Sequence, residues 1–275
     1  MLRQRIATAL VLLAVLGLSL AAADPIWFHV LVAAFISVAA WEWYRLLGVS
    51  LGIGTFSALA VSGLGFAASL IISPVLQPWL FGLACVAWAI IALPALHTSD
   101  WVRRVRILQL ALPLIMLTAC LTAVFALLAE LGSWGLLSLL AIVWLADVGA
   151  YFAGRAFGRR KLALTISPNK TIEGALGGLL AVALYVVAIA KIYPGLKLYP
   201  SVLSATWGML ATLGLLVLLA ALSITGDLFE SLLKRRAGFK DSSQLLPGHG
   251  GVLDRIDALV PVLPVAGLML MMASR

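Results

Sequence analysis

An all-α, polytopic transmembrane helical protein with about nine membrane-spanning helices is predicted by three features of this 275-residue chain. The residues AVILMFWYC make up 63% of it and DEKR only 11%, against about 45–50% apolar and about 25% charged in soluble domains. Nine apolar runs of roughly the ~18 residues that a helix rising ~1.5 Å per residue needs to cross hydrocarbon recur almost end to end. The basic residues divide so unevenly between alternate loops that an orientation in the bilayer follows.

The runs fall at 6–23, 25–44, 52–72, 77–96, 108–128, 132–152, 175–192, 205–222 and 258–273. Frequent Gly and Ala within them suit close helix packing in lipid. Trp27, Trp41, Trp43, Trp79, Trp101, Trp134 and Trp207 lie near the ends of runs, where interfacial aromatics are expected. Arg3 and Arg5, the first run, and Ala21-Ala22-Ala23 before Asp24 imitate a secretory signal with a small-residue cleavage site. Retention as an anchor suits a multi-span chain better, and either outcome leaves the remaining topology unchanged. The expected organisation is a single integral membrane domain over 1–275. Within it, 1–130 forms the N-terminal spans, and 131–275 carries further spans and the polar loops of the catalytic site.

With the N-terminus in the cytoplasm, all Lys and Arg except Lys191, Lys197 and Arg275 fall inside, which leaves 16 of the 19 basic residues on one side. The net charge of +8 is then explained by membrane topology and anionic headgroups, so nucleic acid is unnecessary as a partner. Cys85 and Cys120 sit in apolar runs without CxxC or CxxH spacing and read as small buried hydrophobes.

Three cytoplasmic regions remain. Asp100 to Arg106, with three arginines and Trp101, is most simply an interfacial anchor. Asp147 lies in otherwise apolar helix, where an acid costs about 2.5–3.5 kcal/mol near mid-membrane. It must face protein or water, and Tyr151 shares its face four residues on. A functional polar site and a plain interhelical hydrogen bond both account for the pair. Ser167-Pro168-Asn169-Lys170-Thr171-Ile172-Glu173-Gly174 opens the next run like a helix cap, whose free N–H groups favour phosphate beside Lys170 and Thr171.

After the eighth run the hydrophobic periodicity ends. Asp227 and the Asp254/Asp257 pair, three residues apart, supply the hard oxygen ligands that hold Mg²⁺ while leaving positions for substrate phosphates. The bland reading has Glu230 bridging Lys234 and the aspartates solvated or paired with Arg255. Pro247-Gly248-His249-Gly250-Gly251 offers flexible backbone whose N–H groups suit an anion. His249 suits phosphate contact, proton transfer or a structural role.

At these residues the chain resembles the phosphatidate cytidylyltransferase (CDP-diacylglycerol synthase) family. The resemblance is carried by Ser231-Leu232-Leu233-Lys234-Arg235, Lys240-Asp241-Ser242, Leu246 to Gly251 and Asp254-Arg255-Ile256-Asp257. It is supported by Asp147 with Tyr151, Gly154-Arg155, Ser167 to Gly174 and Trp41-Glu42-Trp43. The resemblance implies a multi-pass enzyme of the bacterial inner membrane, a homodimer, that condenses CTP with phosphatidic acid to CDP-diacylglycerol and pyrophosphate. It also implies Mg²⁺ or another divalent cation, with Asp227 and Asp254 as ligands and Asp257 a weaker candidate. The catalytic set expected from it is Asp227, Asp254, Asp257, Lys234 and His249. The substrate-binding set is Asp147, Tyr151, Ser167, Lys170, Thr171, Glu173, Ser231, Arg235, Lys240, Asp241, Gly250, Gly251 and Arg255.

Two further function classes fit parts of this pattern. A transporter of anionic solutes also places acids and bases in a membrane, but no repeat is visible and the polar residues cluster on one side. A headgroup transferase acting on CDP-lipid would carry an Asp-Gly-x-x-Ala-Arg pattern that is missing here.

Overall fold

The computed structural model describes residues 2–22, 24–71, 76–97 and 106–274, without the side chains of 2–6, 9, 51, 68–71, 97 and 106–109. Of the anchor loop expected at 100–106, residues 100–105 and the side chain of Arg106 lie outside the described residues, as do Ala23 at the small-residue end of the signal-like segment and the side chains of Arg3, Arg5 and Arg275.

The helices are α1 (Leu2–Ala21), α2 (Ile26–Leu46), α3 (Leu51–Ile71) and α4 (Gln77–Ala87), the last continuing through a π-helical turn (Trp88–Ala92) into α5 (Leu93–His97). Then come α6 (Arg106–Phe157), α7 (Ile172–Ile192), α8 (Tyr199–Ala237), the short α9 (Leu253–Ile256) and α10 (Leu259–Ala273). Between α6 and α7 the chain forms an antiparallel hairpin, β1 (Lys161–Ala163) with β2 (Ser167–Thr171). An all-α chain was expected, and this small sheet corrects it. A polar connection between two packed helices satisfies its backbone by pairing with itself, and buried Ile166 pins the turn.

Among the described residues five helices are long and apolar enough to cross a membrane: 26–46, 77–96, 110–157, 172–192 and 199–237. Leu10–Ala21, Gly52–Ala67 and Leu259–Ala273 are shorter apolar helices. The runs expected at 108–128 and 132–152 are two helical stretches of α6 that meet at a kink at Gly132, whose φ of 71° only glycine adopts without strain. A second break, at Gly208 (φ 78°), splits α8.

The outer surface is apolar, with Leu210, Trp134, Trp79, Phe56 and Leu18 all exposed, as a lipid-facing surface requires. The exposed Trp27, Trp79 and Trp134 fit an interfacial place. Trp43 does not. It is 3% exposed and packs with Trp88 around Phe229 of α8, in the core beneath the polar loops.

The central element is α6, which touches α2, α3, α4, α7, α8 and α10. Its closest neighbour is α7, and glycine makes that approach possible. A Cβ on Gly177 would lie 2.1 Å from that of Ala153, and one on Gly178 would lie 2.4 Å from the Ala146 carbonyl oxygen. The helices therefore meet nearly backbone to backbone directly behind Asp147 and Tyr151.

Long-range contacts sort the helix ends into two faces. On one, Arg235 Nε of α8 donates to the Ile166 carbonyl, Ser242 Oγ donates to Glu42 of α2, and Thr8 Oγ1 of α1 donates to the Pro247 carbonyl. On the other, Ser133 Oγ donates to the Leu20 carbonyl and Lys197 Nζ to that of Glu130. The motif-bearing loops share the first face. Gly177→Val is expected to lower unfolding stability by about 2 kcal/mol through overpacking, read as a drop of several degrees in the melting temperature of the detergent-solubilised protein.

Candidate functional site

Two polar centres sit on that face. The first is a cavity of about 630 Å³ lined by Asp147, Tyr151, Arg155, Lys170, Thr171 and Asp227, among others. The hairpin brings Lys170 to its rim, and the Lys170 ammonium pairs with Asp227 of α8 at 2.6 Å. Thr171 ends β2 in an extended conformation and caps α7, its Oγ1 accepting from the Gly174 N–H at 3.1 Å. Glu173 does not complete a reciprocal capping box. It accepts instead from the backbone N–H groups of Arg159 and Arg160 and from Arg160 Nε, tying the start of the hairpin to α7. Ser167 and Asn169 also face the cavity, and Arg155 donates to the Tyr151 hydroxyl at 3.2 Å.

The second centre is Lys234. Its ammonium lies between Glu230, one turn earlier on α8, and Asp254 Oδ1 at 2.5 Å. The bridge to Glu230 was the bland sequence reading, but the lysine reaches across to the second acid as well. Asp254 Oδ2 accepts from Ser242 N–H (2.9 Å), Ser242 Oγ (2.9 Å) and Gly251 N–H (2.7 Å). The loop that delivers these donors leaves α8 through left-handed Gly238 and folds back at a tight turn in which Leu246 N–H meets the Gly250 carbonyl. Gly250 has φ 80°, and a Cβ there would stand 2.6 Å from Asp254 Oδ2.

Glu42 received no role from the sequence. It is fully buried near the end of α2, where its Oε2 accepts from Ser242 Oγ at 3.0 Å and Leu253 N–H at 2.6 Å. Its Oε1 accepts from Val252 N–H at 3.0 Å and from Ser243 Oγ. One carboxylate thus holds both arms of the 238–252 loop, and Ser242 joins it to Asp254. The signal was present: an acid in an apolar run, the argument already applied to Asp147.

The remaining residues divide. Ser231 Oγ donates weakly to Asp227 Oδ1 at 3.4 Å. Lys240, Asp241 and Arg255 are exposed, and Arg235 is engaged with the hairpin. The Nδ1 of His249 is buried without a hydrogen-bond partner.

Charge links the two centres. Asp227 repels both Asp147 and Asp257, while Glu230 faces both Asp254 and Asp257. Five acids therefore face three nearby cations, Lys170, Lys234 and Arg255, leaving two negative charges over if all are ionised. For Asp254, burial works to raise the pKa, but hydrogen bonds from Glu230, Lys234 and the Gly251 N–H outweigh it and hold the group at about 2. For Asp257, burial and then repulsion from Asp227 push the pKa up to about 8, against the hydrogen bond from Ala258 N–H. Among the described residues no three His, Cys, Asp or Glu form a metal-holding group. The surplus of hard oxygen donors nevertheless fits a divalent cation that takes one or two carboxylates and completes its shell with phosphate.

Comparison with known proteins agrees with this chemistry. The model of the cytidylyltransferase family matches residues 3–273. The chain is 39% identical to the phosphatidate cytidylyltransferase of Pseudomonas aeruginosa, covering all of this chain and 98% of that protein. It is 34% identical to the Haemophilus influenzae protein of the same name (96% of each) and 32% identical to that of Helicobacter pylori (94% of this chain, 88% of that protein). The chain belongs to the cytidylyltransferase family.

Removing the Glu42 acceptor leaves four loop donors without it. Glu42→Ala should cost about 1–3 kcal/mol for each donor left unsatisfied, measured by thermal unfolding, and Glu42→Gln should recover only part because its amide adds a donor. A second expectation concerns pH. The stability that Asp254 contributes is present above its ordinary pKa of 3.8 and is lost as pH falls through about 2. Asp257 behaves oppositely: its contribution is full below 3.8 and is lost as pH rises through about 8. In chelator-treated protein, Asp257→Asn should therefore raise stability relative to the parent progressively from pH 5 to pH 9, by a few kcal/mol at the upper end, on the order of 1.4 kcal/mol per pKa unit discounted for solvent screening.

Proposed function

We propose that this chain catalyses the condensation of CTP with phosphatidic acid to CDP-diacylglycerol and pyrophosphate. The observation that carries the reading is a cation-rimmed polar cavity, with Lys170 and Asp227 at its wall, electrostatically joined to the Lys234–Asp254 centre. The relatives' names and the family membership support the same substrates.

Both reactants are polyanions, so the protein's task is to neutralise charge and to align them, with no need of a protein nucleophile. An oxygen of the lipid phosphate attacks the α-phosphorus of CTP. The bond from that phosphorus to the bridging oxygen breaks, and pyrophosphate leaves with the electron pair. Phosphatidate is already anionic at neutral pH, so no strong base is required. Lys170, at the cavity rim, and Lys234, beside Asp254, hold phosphates, with Arg235 and Lys240 at the outer edge. Thr171 and the start of α7 orient a phosphate oxygen toward free N–H groups. Asp227 and Asp254, with Asp257 close by, would hold Mg²⁺, which when bound lowers the charge on the triphosphate and stabilises the transition state. Ser242 and Gly251 keep Asp254 pointed at Lys234, and Glu42 keeps Ser242 in place.

The same reading places the chain in the bacterial inner membrane as a homodimer crossing nine times, with the N-terminus and the catalytic face in the cytoplasm. The break at Gly132 lets α6 supply two of those crossings, and α1, α3 and α10 supply the shorter ones. The 16 to 3 division of basic residues supports the orientation.

Purified protein given phosphatidic acid, labelled CTP and Mg²⁺ should yield labelled CDP-lipid and pyrophosphate, and a folded sample that yields neither overturns the assignment. Asp227→Asn and Lys170→Met should each lower kcat/KM at least about 100-fold, the scale of losing one transition-state electrostatic contact. Asp227→Asn should in addition raise the Mg²⁺ concentration needed for half-maximal rate. Near-normal turnover by Asp227→Asn at limiting Mg²⁺ would remove that residue from the metal site.

A further inference from the structure

A second cavity, of about 440 Å³, lies on the other side of the same catalytic segment. It runs between α1, α2, α6 and α10 and is lined by apolar side chains such as Leu16, Val32, Phe35, Val124, Leu140 and Leu263. Its polar groups are concentrated at one end, where His249 and Arg255 close it. Its volume is within the range of about 300–1,000 Å³ typical of small-molecule sites.

The two cavities share walls. On α6, Trp144 lines the apolar groove, and Asp147, one turn on, lines the polar cavity. Helical spacing divides the other wall in the same way. Asp254 and Asp257 turn toward Lys234 and Asp227, whereas Arg255, Ile256, Leu259 and Leu263 turn into the groove. Arg255 attracts Asp147 across the boundary. Among the described residues Arg255 forms no ion pair, and the Nδ1 of His249 is buried without a partner. An apolar slot that ends on a free guanidinium and an unanswered imidazole nitrogen is the complement of a phosphomonoester carrying a hydrocarbon chain.

We infer that this groove receives an acyl chain of the phosphatidate substrate, entering sideways from the bilayer, with the lipid phosphate drawn to Arg255 and His249. The inference rests on the cytidylyltransferase reading and gives the lipid a site distinct from the polar cavity, which is left to the nucleotide. The two substrates then reach the acidic segment from separate cavities, the nucleotide beside Asp227 and the lipid beside Arg255. The charged end distinguishes the groove from an ordinary lipid-facing furrow, which would offer nothing to a headgroup.

The test uses the full-length protein and phosphatidic acid bearing a diazirine on one acyl chain, with a matched photoactivatable diacylglycerol as the phosphate-free control. Crosslinks are mapped by mass spectrometry alongside the CTP assay. Labelling should concentrate on α1, α2 and α10 residues of the groove, exceed that by diacylglycerol at least fivefold, and fall to the diacylglycerol level in Arg255→Gln. Val32→Trp, which fills the groove, should remove the label and raise KM for long-chain phosphatidate at least tenfold. In the same variant, KM for CTP should stay within twofold of the parent, which also shows that it folds. Label scattered over outer residues such as Leu184 and Leu210, or equal labelling by diacylglycerol, overturns the groove even in an active enzyme. Groove labelling in a protein that makes no CDP-lipid would support the lipid site and overturn the cytidylyltransferase reading instead.

Discussion

A carboxylate in an apolar helix bundle must be met by donors, and the folding of the catalytic face follows from how each acid is met. Glu42 is the clearest case. Its two oxygens accept four hydrogen bonds from residues more than 190 positions later in the chain, so the α2 end and the 238–252 loop are ordered together. Hydrogen bonds to charged groups contribute about 1.5–3 kcal/mol each, and the loss of the acceptor would strand the Ser243 hydroxyl and the Val252 and Leu253 N–H groups in a dry setting, while the Ser242 hydroxyl keeps Asp254. The loop has few large apolar residues with which to anchor itself. This carboxylate, with the Lys234–Asp254 pair, fixes it to the bundle.

The consequence for chemistry lies in Ser242. Its hydroxyl is within hydrogen-bonding distance of both Glu42 and Asp254, and its N–H also donates to Asp254. The structural acid and the candidate metal-binding acid are therefore one bonded unit. Glycine makes the unit compact: a Cβ on Gly251 would stand 2.1 Å from Ser242 Oγ and 2.4 Å from Glu42 Oε1. The Pro247 to Gly251 stretch, which reads in sequence as flexible backbone for an anion, is used in part to let these side chains close on one another.

Much of the site was legible because ionisable residues in an apolar chain are conspicuous. Asp147 stands out by its cost in an apolar helix, Tyr151 by sharing its face, Lys170 and Thr171 by the capping pattern and Asp227 as a hard oxygen donor at a membrane boundary, and they line one cavity. The face on which they meet follows from loop alternation. Partner choice was not legible. Helical periodicity shows which side of a helix is apolar but not which helix lies against it, so the pairing of Glu42 with Ser242 and the packing of Trp43 on Phe229 had no local signature. The break at Gly132 was legible, since a glycine between two apolar runs of spanning length marks the end of one helix and the start of the next. The hairpin at 161–171 escaped because a short polar connection carries too few alternating residues to register as strand.

The excess of acids over bases is the feature that ties fold to function. An isolated surplus of buried negative charge opposes folding, and at Asp257 burial first and repulsion from Asp227 second favour the protonated carboxyl. Lys170 and Lys234 relieve the surplus at two other points without cancelling it. In the metal reading proposed above, the same residual field that disfavours a bare site would favour a divalent cation held by Asp227 and Asp254, whose charge would offset that of the triphosphate. On that reading a bare site favours Asp257 protonated and a loaded one favours it ionised, and its place three residues after Asp254 sets both demands beside the same pair of carboxylates.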